Sequence, residues 1–509
     1  MSAPAKRKLV LVDTNCTEQY ELHTDDVDET KVLTKTRKRP LSKVEPSSSS
    51  ESSSSSIKHR LRSDKSEPKE DEGVKPIYPP PINLTVNQDA RAIAPCSFNE
   101  LRKKLYFVDK TDLIREIYKD ESPAKFYCFP RAGTKSTVVS ALVEWLVNDD
   151  KRRAERLECF KGLKIMDFFE KENDDIGFNQ HVIVGADFGC VETENRTLDE
   201  IETGVTKEFC RYLRKLYSLG SEAMTVIESL KPDHAYFFLK IIDRVQEVLP
   251  PTTPKRPALL IIDNFDAPAL RLLKQTESTE LARDVMSFFD WMLNDVRRLE
   301  NKLFDKVILF GTHLPISFKT NSLLRKIPVE SYPYGRKEIC SNFFFSTEEV
   351  KTLLKKYGED ETKVTELAQI CGQYNIEEDE YFHPGCIVNY LTRQRTKKIG
   401  VENPVYWTSL DSLDVLPDTS SMLRYEMILW TYPNNQILHF KYQNVLDYEK
   451  LIKGDRDTAF TYLLEAGYLT RKRDTDVEAG VYQIVNVEAR NLFRNRYKQW
   501  CERIPETDY

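Results

Sequence analysis

A lysine followed by a hydroxyl residue, set between an apolar strand and an apolar helix, is a pattern suited to binding phosphate. Lys135-Ser136 sits this way. Lys125 to Phe129 reads as a strand, Pro130-Arg131-Ala132-Gly133-Thr134 as a tight turn, and Thr137 to Asn148 as a helix. At such a junction unpaired N–H groups at the helix start face an anion, the lysine reaches the outer phosphates and the hydroxyl binds a magnesium ion. The candidate nucleotide-binding residues are therefore Arg131, Gly133, Thr134, Lys135, Ser136 and Thr137, with ATP and Mg2+ as the implied ligands. The usual pattern places glycine six positions and one position before the lysine. Those positions hold Phe129 and Thr134, with Gly133 displaced by one. A β-branched Thr134 resists the positive φ that glycine takes easily, an expected cost on the order of 1 kcal/mol.

A second strand, Ala258-Leu259-Leu260-Ile261-Ile262-Asp263, ends in a carboxylate. Such an aspartate holds water on magnesium in phosphate-loop proteins, so Ser136 and Asp263 are the candidate metal residues. Asn264 follows and cannot accept a proton; Asp266, three residues beyond Asp263, is the candidate substitute base. A third strand, Val307 to Thr312, ends in a hydroxyl placed to sense the γ-phosphate, which makes Thr312 the candidate sensor. This reading requires Lys135 and Asp263 to converge at the C-terminal edge of adjacent parallel strands.

Other clusters are weaker. Cys371, His383 and Cys386 lie close together, but their spacing departs from the common zinc patterns and reads as buried thiols with a loop histidine. Arg325-Lys326 and Arg336-Lys337 read as surface charge, and Asp109-Lys110 as a structural pair.

Elements that would position these groups alternate along the chain. Strands at Ala124–Cys128, His181–Phe188, Ala258–Asp263 and Lys306–Thr312 alternate with helices at Thr137–Asn148, Leu198–Leu216 and Leu281–Leu299. This order predicts an α/β fold, a P-loop NTPase-like αβα parallel sheet with helices on both faces. Beyond Thr347 the strand signals fade, and helices at Thr347–Tyr357 and Asp360–Cys371 predict a helical lid. From Ser420 the pattern is helix, helix, a ribbon around Leu469–Arg473 and Val481–Val485, then a last helix from Glu488, which predicts a winged-helix-like end. Arg471-Lys472-Arg473 in the ribbon invites contact with nucleic-acid phosphates, diluted by Asp474, Asp476 and Glu478; packing against protein is the preferred reading.

Composition bounds the rest. The 509 residues are 40% hydrophobic and 31% charged, with a net charge of -6, which excludes a globally basic nucleic-acid coat. No apolar run approaches the roughly 18 residues of a membrane span. Ten cysteines without a Cys-x-x-Cys pair read as reduced, intracellular thiols. Residues 1–85 form a disordered Ser/charge-rich tail, with a serine tract from Ser47 to Ser56 broken by Glu51 and a Pro79-Pro80-Pro81 spacer. Its basic clusters, Lys6-Arg7-Lys8 foremost, either keep a solvated tail extended or serve as a nuclear-import address; without such a role the expected location is cytoplasmic.

Several segments taken in order resemble the predicted AAA-ATPase-like family. Tyr106-Phe107-Val108-Asp109-Lys110-Thr111 is similar to that family's Val-Asp-Lys-Thr motif. Pro130, Arg131, Lys135 and Ser136 match its Arg-Pro-Arg-Arg-Phe-Gly-Lys-Ser loop, while Ala132, Gly133 and Thr134 depart from it. Asp263, Phe265 and Asp266 match its Ile-Asp-Glu-Tyr-Asp strand end; Asn264 stands where AAA-type ATPases usually carry a water-activating glutamate. Phe310-Gly311-Thr312, Phe345 to Val350, Asn403 to Trp407 and Glu465 to Thr470 are also similar.

The resemblance implies an ATP-binding αβα domain at 86–345, a helical lid at 346–415 and a winged-helix-like domain at 416–509. Many relatives carry a restriction-type nuclease domain that is not carried over here. The expected function is a nucleotide-binding regulatory or scaffold protein with degenerate Walker A and Walker B motifs and weak or absent hydrolysis. One alternative is an active ATPase using Asp266 or a partner's residue; another is a nucleic-acid-binding module on an ATPase-like scaffold. A protein partner is expected and a membrane is not.

Overall fold

The structure, a computed structural model, describes residues 9–12, 17–20, 98–131, 134–171, 176–217, 221–229, 237–249, 258–273, 279–298, 303–314, 324–372, 374–396, 437–443, 445–472 and 480–503. Two units make up the chain: Met1–Val12 with Glu18–Pro81, and Asp13–Thr17 with Ile82–Tyr509. Two short strands near the start, β1 (Leu9–Val12) and β2 (Thr17–Tyr20), pair with each other. The rest of the segment expected to be a disordered tail, its serine tract included, lies outside the described residues.

The second unit holds a five-stranded parallel sheet. Its strands are β3 (Ala124–Cys128), β4 (Val182–Asp187), β5 (Ala258–Asp263), β6 (Lys306–Gly311) and β7 (Val329–Ser331), in spatial order β4-β5-β6-β3-β7. Near-continuous apolar strands demand burial on both faces, and here they receive it. Alternate residues split cleanly. Tyr127, Ile183, Leu259, Ile261, Ile308 and Phe310 pack with the helix Lys135–Leu146. Phe126, Val184, Leu260, Ile262 and Leu309 pack on the opposite side with helices Leu198–Tyr217, Phe237–Val248 and Thr279–Arg298. The result is an α/β, P-loop-like arrangement.

One expectation needs correcting. The strands that carry the lysine turn and Asp263 are not adjacent: β6 lies between β3 and β5 and pairs with both. The chain leaves β3 through helix Lys135–Leu146 to the far strand β4, then returns through β5 to β6. Parallel strands joined this way open a crevice at their C-terminal ends, where the chain order switches sides of β3.

Beyond Thr347 the segment is less purely helical than its pattern suggests. Strands β8 (Phe345–Ser346), β9 (Tyr374–Ile376) and β10 (Asp379–Phe382) form an antiparallel sheet in the order β8-β10-β9, beside helices Thr347–Tyr357, Val364–Cys371 and Pro384–Thr396. These strands are two to four residues long, too short for a period-2 pattern to declare itself. Ser346 caps its helix by accepting from Glu349 N, while the Glu349 carboxylate accepts from Ser346 N at 2.8 Å. Residues 397–436, with Asn403 to Trp407 and the Ser420–Thr431 helix expected from the sequence, lie outside the described residues.

The last segment pairs β11 (Leu438–His439), β12 (Leu469–Arg471) and β13 (Val481–Ile484) antiparallel, with β13 central. Helices Tyr448–Ile452, Arg456–Glu465 and Val487–Arg503 accompany them. Cys371 and Cys386 are joined in a disulfide, against the expectation of free thiols throughout. The end of one helix meets the first turn of another, which brings their Cα atoms to 5.4 Å, within bonding range. Cys128, Cys159, Cys190, Cys210 and Cys340 are free and buried. No helix there is long and apolar enough to cross a membrane.

Candidate nucleotide site

The strand ends gather the candidate residues. Helix Lys135–Leu146 begins at the lysine itself, two residues earlier than its apolar pattern indicates. The Lys135 ammonium is buried and donates to the carbonyls of Phe129 and Pro130, the latter at 3.0 Å, so it ties the start of the loop to its end. It also lies 3.5 Å from the Thr312 hydroxyl. Thr134 has φ −87°, an ordinary value for threonine, so the strain expected from a β-branched residue there does not arise. Its hydroxyl donates to the Asn342 carbonyl at 3.2 Å instead. Thr137 is half-buried in the first helical turn, and Gly133 and Ala132 lie outside the described residues.

Ser136 and Asp263 come together across the intervening strand: the hydroxyl donates to Asp263 Oδ2 at 2.6 Å. Asp263 is buried, and its carboxyl is pushed above the usual carboxylate range, first by burial and then by the charge of Asp187. Burial likewise lowers the Lys135 ammonium, while Asp266 and Asp263 pull it back up. Asp187 had no signal of its own in the sequence beyond lying near the end of a strand. Parallel pairing of β4 and β5 sets its Cα directly opposite that of Asp263. Such a partner is found only by knowing the strand register.

Asn264 takes φ +49°, a left-handed value that asparagine tolerates better than most residues. Its carboxamide donates to Asp187 Oδ1 at 2.9 Å. Asp266 is committed differently. Its Oδ2 accepts from the backbone N–H groups of Thr312 and His313 at 3.0 and 2.9 Å, bracing the end of β6. Burial raises its carboxyl, against the opposing pull of Arg131 and Lys135.

Groups from distant segments close around the loop. His383 Nε2 lies 2.8 Å from the Arg131 carbonyl. Gly467, at φ +87°, packs so near Pro130 that an added Cβ would stand 2.8 Å from its ring. His313 Nδ1 bonds to Glu465 Oε2 at 2.8 Å, and its ring stacks on Tyr462 at 4.3 Å. Burial lowers the His313 imidazole far below its normal range and lifts the Glu465 carboxyl to about 8. Near neutrality the two therefore meet as an uncharged hydrogen bond, not an ion pair.

Remaining candidates fall into structural roles. Asp109 and Lys110 do not pair with each other: Asp109 accepts from Thr111 and from Lys164 N, and Lys110 pairs with Glu349 at 2.8 Å. Arg336 pairs with Asp120 and Glu330. No three His, Cys, Asp or Glu side chains converge as a metal-ligand group among the described residues. In the ribbon Arg471 ends β12 and Lys472 N donates to Val481 O at 3.0 Å, while Arg473 and its acidic neighbours lie outside the described residues.

A parallel sheet with a lysine-led helix at one strand end and a carboxylate at another defines a P-loop-like α/β protein. Residues 92–316 match the family model described as Predicted AAA-ATPase, so this segment is similar to AAA-ATPase-like domains. Among solved structures, a Walker-type ATPase of Pyrococcus abyssi is similar at 13% identity and a TM-score of 0.40, covering 77% of this chain and 100% of that one. No curated protein matches.

Proposed function

We propose that the chain is a nucleotide-binding regulatory protein of AAA-ATPase-like type, with weak hydrolysis, in which site occupancy sets the arrangement of the lid and a winged-helix-like C-terminal part. The observation that carries this reading is the 2.6 Å bond between Ser136 and Asp263 beside the buried Lys135. A hydroxyl and a carboxylate are hard oxygen donors of the sort magnesium accepts alongside water and phosphate. Ser136 and Asp263 would hold that ion, which when bound neutralises phosphate charge. Lys135 would turn its ammonium toward the β- and γ-phosphates, Arg131 and the first-turn residues Ser136 and Thr137 would line them, and Thr312 would register the γ-phosphate. Weak turnover follows from Asn264, which offers no proton acceptor, and from Asp266, whose carboxylate is spent on two backbone amides.

The test is thermal stability of the full chain with and without Mg-ATP. A ligand that binds only the folded state stabilises it by mass action, by roughly 2.7 kcal/mol at a hundredfold excess over its Kd. The melting temperature should rise with ATP, and Lys135→Ala should abolish the rise. An unchanged melting temperature at millimolar Mg-ATP would remove the nucleotide reading.

A further inference from the structure

The position after Asp263 lacks an acidic side chain, yet the site does not lack a second carboxylate. Asp187 ends the neighbouring strand in register with Asp263, so strand pairing places the two Cα atoms side by side. Its Oδ1 accepts from Gly189 N and from Asn264 Nδ2, both at 2.9 Å. Among the described residues its Oδ2 accepts from the Cys190 thiol at 3.7 Å, and the Arg211 guanidinium, which bonds that same thiol, feels its charge. Gly189 leaves the space this requires, since a Cβ there would stand 2.8 Å from Asp187 Oδ1 and 3.0 Å from Asn264 Nδ2. Asp187 is half-buried, open enough to meet a water molecule.

Resting on the nucleotide reading, we propose that Asp187, oriented by Asn264, is the residue that positions the attacking water for ATP hydrolysis. The left-handed backbone of Asn264 turns its carboxamide onto Asp187, so the amide fixes one carboxylate oxygen and leaves the other for the water. In the step, the water oxygen forms a bond to the γ-phosphorus as the bond from that phosphorus to the bridging oxygen breaks. The electron pair leaves with ADP, and the water proton passes to the released phosphate. Asp187 accepts a hydrogen bond from the water and aligns it; misalignment by about 1 Å costs on the order of 10²-fold. Asp187 would thus do, from the neighbouring strand, what a glutamate beside the strand-end aspartate does in AAA-type ATPases.

The experiment measures single-turnover phosphate release from Mg-ATP together with the Kd of the same nucleotide, on the full chain. Asp187→Asn preserves an acceptor for Gly189 N, and should lower the rate about 10²-fold while the Kd stays within about twofold. Asp187→Glu should recover part of the rate. Asn264→Gly removes the amide without straining a positive φ, and should lower the rate about tenfold with the melting temperature of the apo chain largely kept. Rates within threefold of wild type in both Asp187→Asn and Asn264→Gly overturn the proposal. So does a wild-type chain that binds ATP and releases no phosphate, an outcome that leaves the binding reading intact. Failure to bind ATP overturns both.

Discussion

Glu465 and His313 share a hydrogen bond in which neither side chain carries its usual charge, and this makes stability depend on pH in a direction that can be worked out. The Glu465 carboxyl is raised to about 8, chiefly by burial. A raised group contributes most below its unfolded value, near 4.5, and loses that contribution as pH climbs through about 8. The His313 imidazole is lowered, so its contribution is present above about 6.5 and lost on acidification. Between about 4.5 and 6.5 the two oppose each other; above 6.5, of this pair, only Glu465 still changes its contribution. Stability should therefore fall from pH 6.5 to 8.5, by up to about 1.4 kcal/mol per pH unit. Glu465→Gln mimics the neutral acid toward His313 and Tyr442 and should flatten that fall in urea unfolding. An equal slope in wild type and variant would show the carboxyl to be ionised throughout. Glu465 stood in a family-like segment and Asp187 near a strand end, but neither showed its role, because each gains it from a residue 77 or more positions away.

Elements meet at the turn before Lys135 more closely than their local patterns foretell. Gly467 follows the helix Arg456–Glu465 at φ +87°, with Pro130 against it and its carbonyl accepting from the Tyr374 hydroxyl at 2.9 Å. Gly467→Ala adds left-handed strain to a clash with a rigid ring. It should cost roughly 2–3 kcal/mol in urea unfolding and weaken ATP binding, since the loop must shift. Unchanged stability would mean that the two segments are not pressed together. By contrast, the helix at Thr347–Tyr357 was legible to the residue. Ser346 and Glu349 form a capping box, and Gly358 ends the helix at φ +75°, both local signals. Strands β8, β9 and β10 were not legible, because two to four residues cannot establish a period and their pairing is set by contacts made elsewhere.

The second unit places three non-contiguous segments on one loop: Asn342, His383 and Gly467 contact Thr134, Arg131 and Pro130 respectively. Ligand binding that orders the loop should thus be felt far along the chain. Mg-ATP should slow amide hydrogen exchange at 374–376 and 456–467 as well as at 129–137. Protection confined to 129–137 would argue that occupancy of the site does not reach the C-terminal part.

The amino-acid order alone was enough to establish the parallel sheet, because each strand buried on both faces must be an unbroken apolar run, and enough to single out Lys135, Ser136, Asp263 and Thr312 as candidates, because they stand where such runs end. It also showed that position 264 lacks an acid. It did not show that β6 separates β3 from β5, that Thr134 rests without strain, that Asp266 is spent on backbone amides, or that Cys371 meets Cys386. Each of these depends on which strand or helix lies beside which, and that choice is made by the packing of segments distant in the chain, whose preferences no local pattern records.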